Sequence, residues 1–384
     1  MTISTMQNFD LLERVGEVLK ERGNLANRSI AWHCHLTTLT YAAARAVVEA
    51  GGRLYISECN AATTKQSALS GLKDLGVPFY TGAHAAVKVL AHKPEIISDT
   101  GFVLTETYLR SGGGAPGAGI SAACETTADG IGRLRDLRAM AALNIPVINI
   151  NEGELKSAID NFHRVGDGLI EALQIATGRE SLPGNLIVVV GYGRVGSGCA
   201  QYLKGIGAQV KVIEADPLRA LKAHYDGFAV TSRLEALAKA EVVVTATGRP
   251  GLWQENFFEE ARDGMVVINV GHDREEVAPA LWEKKAKKIE VVNEVLKRYT
   301  FDSNRSGEKC LYLATGGNPA NIALLTGSFE PTYIHLATEL LTWEYLFQEA
   351  ENLPAGELTL PRRVEEEVSS LALQALGYNN ESVF

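Results

Sequence analysis

Nothing in the 384-residue sequence is apolar for long enough to cross a membrane, and its first residues, MTISTMQNFDLLERVGEVLKERG, lack the apolar core and cleavage pattern of a secretion signal. Cysteine is scarce. Cys34, Cys59, Cys124, Cys199 and Cys310 make five, an odd number with no C-x-x-C spacing, which excludes a disulfide framework and offers no zinc site. No metal is therefore expected. Positive charge is also short: 37 Lys and Arg face 46 Asp and Glu, a net charge of −9 that argues against nucleic acid or an anionic membrane as partner. Internal repeats and low-complexity tracts are missing too. What is left is an ordinary composition, 46% hydrophobic and 22% charged, in a chain long enough for two or three domains. A soluble cytoplasmic protein is the expectation.

The most informative stretch is NLIVVVGYGRVGSGCA, residues Asn185 to Ala200. The run Leu186 to Val190 is too short and too apolar for anything but a buried parallel strand. Gly191, Gly193 and Gly196 follow at G-x-G-x-x-G spacing, with Arg194 and Val195 opening a helix. The first glycine makes the turn, the second admits a pyrophosphate, and the third lets helix and strand pack closely. The helix start then offers unpaired N–H groups to phosphate. Glu214 closes the next apolar strand, twenty-one residues past Gly193, where a carboxylate accepts both ribose hydroxyls of NAD. Arg219 is the one nearby residue that would suit the extra phosphate of NADP, and Glu214 outweighs it.

Around this unit, strand, polar loop and helix alternate. Strands at Ser29 to Trp32, Arg53 to Ile56, Ile96-Ile97 and Val147-Ile148 each run into polar residues, as in an α/β layer that binds ligands at the carboxyl ends of its strands. A helical pattern spans Lys156 to Thr177, and after the nucleotide unit come strands at Glu241 to Thr245, Met265 to Asn269, Glu290 to Val292 and Cys310 to Leu313. Helices are read over Thr332 to Glu349 and Arg362 to Leu376, and the glycine-rich Gly112 to Gly119 is read as a mobile loop. The fold class is therefore α/β. A Rossmann NAD-binding domain, residues 156–325, is inserted in a second α/β substrate-binding domain made of residues 1–155 and 326–384.

Several separate stretches resemble S-adenosylhomocysteine hydrolase, the adenosylhomocysteinase family. They are HLT at His35, ECN at Glu58, SDTG around Asp99, CETT around Glu125, NEGELKSAIDN from Asn151 to Asn161, the glycine loop, NVGH up to His272, and LATGG followed by Asn321. The resemblance implies an NAD-dependent enzyme that oxidises the ribose 3′ carbon of a nucleoside. It then removes the 4′ proton, exchanges the 5′ group for water and returns the hydride. On that resemblance Lys156 and Asp160 hold and deprotonate the 3′ hydroxyl, Asp99 and His35 handle protons near the 4′ and 5′ carbons, and Glu125 with Thr126 takes the 2′ hydroxyl. Thr37, Asn60 and Lys65 fall in the substrate pocket, while Thr127, Asn161, Gly271, His272 and Asn321 fall beside the cofactor. A homo-oligomer, dimer or tetramer, is implied as well. Read without the resemblance, Lys156 and Asp160 are a solvated i,i+4 ion pair, and the Glu125 segment is a helix cap.

The departures from the family pattern concern the base and the lid. Leu39 stands where the family has an acidic reader of the adenine amino group, Ser328 where it has a histidine, Lys65 where it has a glutamine, and Val165 where it has a cysteine. The sequence ends LGYNNESVF, without the family's lysine-and-tyrosine tail. A pocket that has lost the partner of a buried amino group discriminates adenine poorly. The expectation is an adenosylhomocysteinase-like hydrolase with another substrate. Two alternatives stand beside it: a lyase that removes water from a nucleoside or sugar derivative by the same 3′-keto chemistry, and a non-enzymatic NAD-binding regulatory protein.

Overall fold

In the computed structural model, described for residues 9–113, 119–139, 143–178, 182–251, 256–303 and 307–378, the chain divides into two compact units, 1–160 with 329–384, and 161–328. Most of the Gly112 to Gly119 loop and the last six residues lie outside the described residues. The unit boundary falls inside one helical segment, Leu155–Arg164. No helix among the described residues is long and apolar enough to cross a membrane.

The first unit is built on seven strands: β1 (Ser29–Cys34), β2 (Arg53–Glu58), β3 (Phe79–Tyr80), β4 (Ile96–Asp99), β5 (Ala122–Glu125), β6 (Pro146–Asn149) and the late strand Gly356–Thr359. Every pairing is parallel, and the order is late strand, β6, β5, β4, β1, β2, β3. Burial on both faces explains the runs such as SIAWHC, which do not alternate. One face carries the helices Leu11–Arg22, Thr38–Glu49, Glu330–Glu349 and Arg362–Ala375 over a core that includes Trp32, Val47, Leu340 and Trp343. The other face is closed by Phe102, Leu104, Leu134 and neighbours.

The second unit has β7 (Leu186–Val190), β8 (Gln209–Ile213), β9 (Ala229–Val230), β10 (Val242–Thr245), β11 (Val266–Asn269), β12 (Lys288–Asn293), β13 (Leu296–Ser303) and β14 (Gly307–Ala314). Their order is β12, β13, β14, β11, β10, β7, β8, β9. β12, β13 and β14 form an antiparallel meander and the rest pair in parallel, so this sheet is mixed. β13 is a strand that the sequence pattern does not announce. Its burial does not alternate cleanly, and the turn before it, Asn293 to Val295, has no glycine.

Candidate functional site

In the first unit the strand order reverses between β1 and β4, the place where open parallel sheets hold ligands beyond their carboxyl ends. His35 lies one residue past β1, Asp99 ends β4, and Glu125 ends β5 directly opposite Asp99 in register. The two carboxylates expose no surface. Asp99 Oδ1 accepts from the amides of Thr100 (3.0 Å), Val103 (3.1 Å) and Leu104 (3.2 Å), and Oδ2 from Thr105 (2.8 Å). Glu125 Oε1 accepts from the amides of Gly101 (3.1 Å) and Thr127 (2.7 Å) and from Thr127 Oγ1 (2.6 Å), and Oε2 accepts from Phe102 N (2.8 Å). Each carboxylate thus has one oxygen filled by three donors and one with a lone pair to spare. Together they fix a tight turn in which Phe102 has φ 60°, a left-handed conformation costly for an aromatic residue. Burial, and then the charge of Asp99, push the Glu125 carboxyl well above the usual carboxylate range.

His35 is oriented by a short chain of bonds. Thr63 Oγ1 donates to the Asn60 carbonyl at 2.8 Å, so it must accept from His35 Nδ1 at 2.7 Å. That assigns the proton to Nδ1 and leaves Nε2 as the acceptor nitrogen. Asn60 caps the turn Ala61–Thr63 through Ala62 N (2.9 Å), and Lys65, half-buried, starts the helix Gln66–Asp74. Cys59, next to Asn60, has its thiol pushed up by burial, which disfavours the thiolate. Thr37 caps the helix Thr38–Glu49 reciprocally with Thr40, and Thr126 donates to the Asp99 carbonyl at 3.2 Å. Thr127 Oγ1 also accepts from Gly130 N at 3.0 Å, so a helix cap is present at this segment.

Lys156 and Asp160 form an ion pair, and their side chains are only 13% and 9% exposed, which sets them apart from a solvated surface pair. The helix that carries them is not the ordinary one expected: Leu155–Arg164 is wound as a π-helix, a form concentrated at functional sites. Asp160 Oδ1 accepts from Thr332 Oγ1 at 3.1 Å. Sequence reasoning passed over Thr332, His335 and Glu339. The available signal was their i, i+3, i+7 spacing along the helix Glu330–Glu349. Leu39, 5% exposed, packs into the apolar cluster of this unit.

The second unit reverses its strand order between β7 and β10, and the glycine loop leaves β7 at that point. Gly191 has φ 96°, and a Cβ there would sit 2.7 Å from the Ala246 carbonyl oxygen. A Cβ on Gly196 would run into the Gly191 carbonyl. Around Gly193 the space is open, with only Arg219 Nη1 at 3.8 Å from a built Cβ. The helix Arg194–Gly205, with Val195 and Gly196 in its first turn, begins at Gly193 with no side chain capping its amides. Glu214 is fastened beside the loop, Oε2 accepting from Tyr192 N (2.6 Å) and Oε1 from Asp216 N (2.9 Å). An open glycine, free helix-start amides and an anchored carboxylate fit the pyrophosphate and ribose of a dinucleotide.

The other cofactor-side residues of this unit are less uniform. Gly271 N donates to Asn269 Oδ1 at 2.8 Å, and His272 after it is half-buried, as is Asn161. Asn321 is 3% exposed, and its Oδ1 is shut off from solvent without a hydrogen-bond partner, so it suits an amide donor such as a nicotinamide carboxamide. Glu276, which no motif flagged, is fully buried. Its Oε1 accepts from Thr247 N and Oγ1, and burial pushes its carboxyl up to about 7. Ser328, at the end of this unit, is tied to Asp167 through its amide (2.9 Å) and hydroxyl (2.8 Å), and Val165 is buried.

Residues 161–325 match the family model of the S-adenosyl-L-homocysteine hydrolase NAD binding domain, which identifies the cofactor as NAD. Over nearly its whole length the chain is similar to the S-inosyl-L-homocysteine hydrolase of Methanocaldococcus jannaschii, with 29% identity over 97% of this chain and 90% of the relative. It is 30% identical to the adenosylhomocysteinase of Aquifex aeolicus over 96% of this chain and 90% of the relative. The adenosylhomocysteinase of Thermosynechococcus vestitus is also 30% identical, over 97% of this chain and 87% of the relative. With a fold, a nucleotide loop and a near full-length likeness all in agreement, the chain belongs to the adenosylhomocysteinase family.

Proposed function

We propose that this chain is an NAD-dependent hydrolase of S-nucleosyl-L-homocysteine thioethers that prefers a keto purine to adenine. Bound NAD would supply the acceptor for the hydride of the ribose 3′ carbon and give it back at the end of the cycle. Gly191, Gly193, Gly196, Glu214 and Asn321 are the residues that would hold it. The buried Lys156–Asp160 pair holds the 3′ hydroxyl and takes its proton. A carbonyl at C3′ acidifies the C4′ hydrogen, and Asp99 Oδ2, the oxygen with a lone pair to spare, is the acceptor assigned to it. His35 carries its proton on Nδ1 and presents Nε2 as the base toward the 5′ group or the incoming water.

The observation that carries the base preference is Leu39, held in an apolar cluster at 5% exposure, which offers no carboxylate to an exocyclic amino group. Relatives with either substrate name lie at similar identity, so the base preference rests on Leu39 alone. Steady-state kinetics with S-inosyl-L-homocysteine and S-adenosyl-L-homocysteine test the reading. The expected kcat/KM ratio favours the inosyl compound by about ten to a hundred, one or two lost contacts at the adenine amino group. Efficient turnover with adenine strongly preferred would sink it.

A further inference from the structure

The helix Glu330–Glu349 turns three polar residues, Thr332, His335 and Glu339, to one side at i, i+3, i+7. Both ends of that stripe are fastened within the first unit. Thr332 Oγ1 donates to Asp160 Oδ1 at 3.1 Å. Glu339 is buried and accepts from Trp32 Nε1 at 2.8 Å and from Ser98 Oγ, and Trp32 packs edge-on against Trp343 of the same helix. The side chain between them therefore has little freedom to turn away.

That side chain is His335. Its Nδ1 is closed off from solvent and has no hydrogen-bond partner in the protein. Leaving a ring nitrogen buried and unpaired is costly, so the position is explained by a group that arrives with the ligand. We propose that His335 is a substrate-binding residue whose Nδ1 hydrogen-bonds the ribose hydroxyl held by Lys156 and Asp160. The inference rests on the proposed function and adds a third residue to the hydroxyl subsite. The chemistry of the surroundings selects an alcohol. Burial, together with the nearby charge of Lys156, holds His335 neutral, and a neutral imidazole suits a hydroxyl, which donates or accepts, better than an anion.

The test uses the full chain with bound NAD and two probes, inosine and 3′-deoxyinosine, which differ by the hydroxyl in question. Calorimetric titration of His335→Leu should show about tenfold weaker binding of inosine and unchanged binding of 3′-deoxyinosine. His335→Asn, which keeps a polar nitrogen near the Nδ1 position, should recover most of the loss, whereas His335→Gln, which reaches the Nε2 position, should not. Equal losses for both probes, or none, would overturn the inference in favour of a packing role. If the leucine variant does not fold, the contrast between the asparagine and glutamine variants decides alone. Lys156→Ala is titrated in parallel. If it keeps the wild-type preference for inosine over 3′-deoxyinosine, the reading of the Lys156–Asp160 pair fails and takes this inference with it. If it loses that preference while His335→Leu keeps it, only the role of His335 fails.

Discussion

At the reversal point of the second unit's sheet the chain removes side chains: three glycines clear the approach and the helix amides at Gly193 are left uncapped. At the matching point of the first unit's sheet, between β1 and β4, the chain does the reverse. Asp99 and Glu125 take up the amides of Thr100, Gly101, Phe102, Val103, Leu104, Thr105 and Thr127. Both sheets follow one winding, β3-β2-β1-β4-β5-β6 and β9-β8-β7-β10-β11-β14. The difference teaches what winding alone leaves open. A crevice whose amides are unclaimed binds a diphosphate, whereas one whose amides are already bonded to carboxylates repels it and works through side chains.

Removing the side-chain chemistry should do the most damage. Lys156→Ala and Asp160→Asn are each expected to slow substrate-dependent cofactor reduction by about a thousandfold, with a non-additive double variant and unchanged NAD content. Wild-type reduction by the double variant would collapse the contrast between the two units. Next in size is Gly193→Ala. Its Cβ has room in the protein itself, so thermal stability should hold, but it occupies the cofactor's approach and should weaken NAD binding by about ten to a hundredfold in a titration of the stripped protein. Unaltered affinity would show that the loop is open for another reason.

Smaller effects sharpen the comparison. Thr127→Val removes a donor to Glu125 and the acceptor for Gly130 N, and should cost about 1 kcal/mol of stability in denaturant unfolding. The smallest change concerns pH. Burial raises the Glu339 carboxyl to about 7, so its favourable contribution is complete below the unfolded value of about 4.3 and is lost as pH rises through 7. In Glu339→Gln the fall in stability over that interval should be shallower than in the wild type. Identical slopes in urea titrations across the interval would show that Glu339 ionises freely.

How legible all this was in the sequence depended on distance along the chain. The cofactor loop was readable because Gly191 to Glu214 is a local unit whose geometry is written in its own spacing. The double grip on the turn after β4 was not, because it needs Asp99 and Glu125 to meet across paired strands 26 residues apart. The π winding of Leu155–Arg164 escaped because ten residues are too few to separate its period from that of an α-helix. The Glu125 segment was readable as a helix cap from its neighbours alone, and the structure puts that cap at Thr127. The stripe Thr332, His335, Glu339 was visible in principle, but its meaning lies in what β1, β4 and Asp160 bring to it.

Glu125, Glu276 and Glu339 are all kept from water, and all three bind protons more tightly in the folded chain than an exposed glutamate does. Near pH 7 the unfolded chain would let those protons go, so melting expels more than one of them per molecule. The released protons are taken up by whatever buffer is present, and the heat of that uptake adds to the heat of unfolding. A calorimetric scan should therefore return different apparent enthalpies in phosphate and in an amine buffer at the same pH and melting temperature. The slope of enthalpy against buffer ionisation heat counts the net release, the protons these glutamates give up less those that the buried His33 and His335 take up.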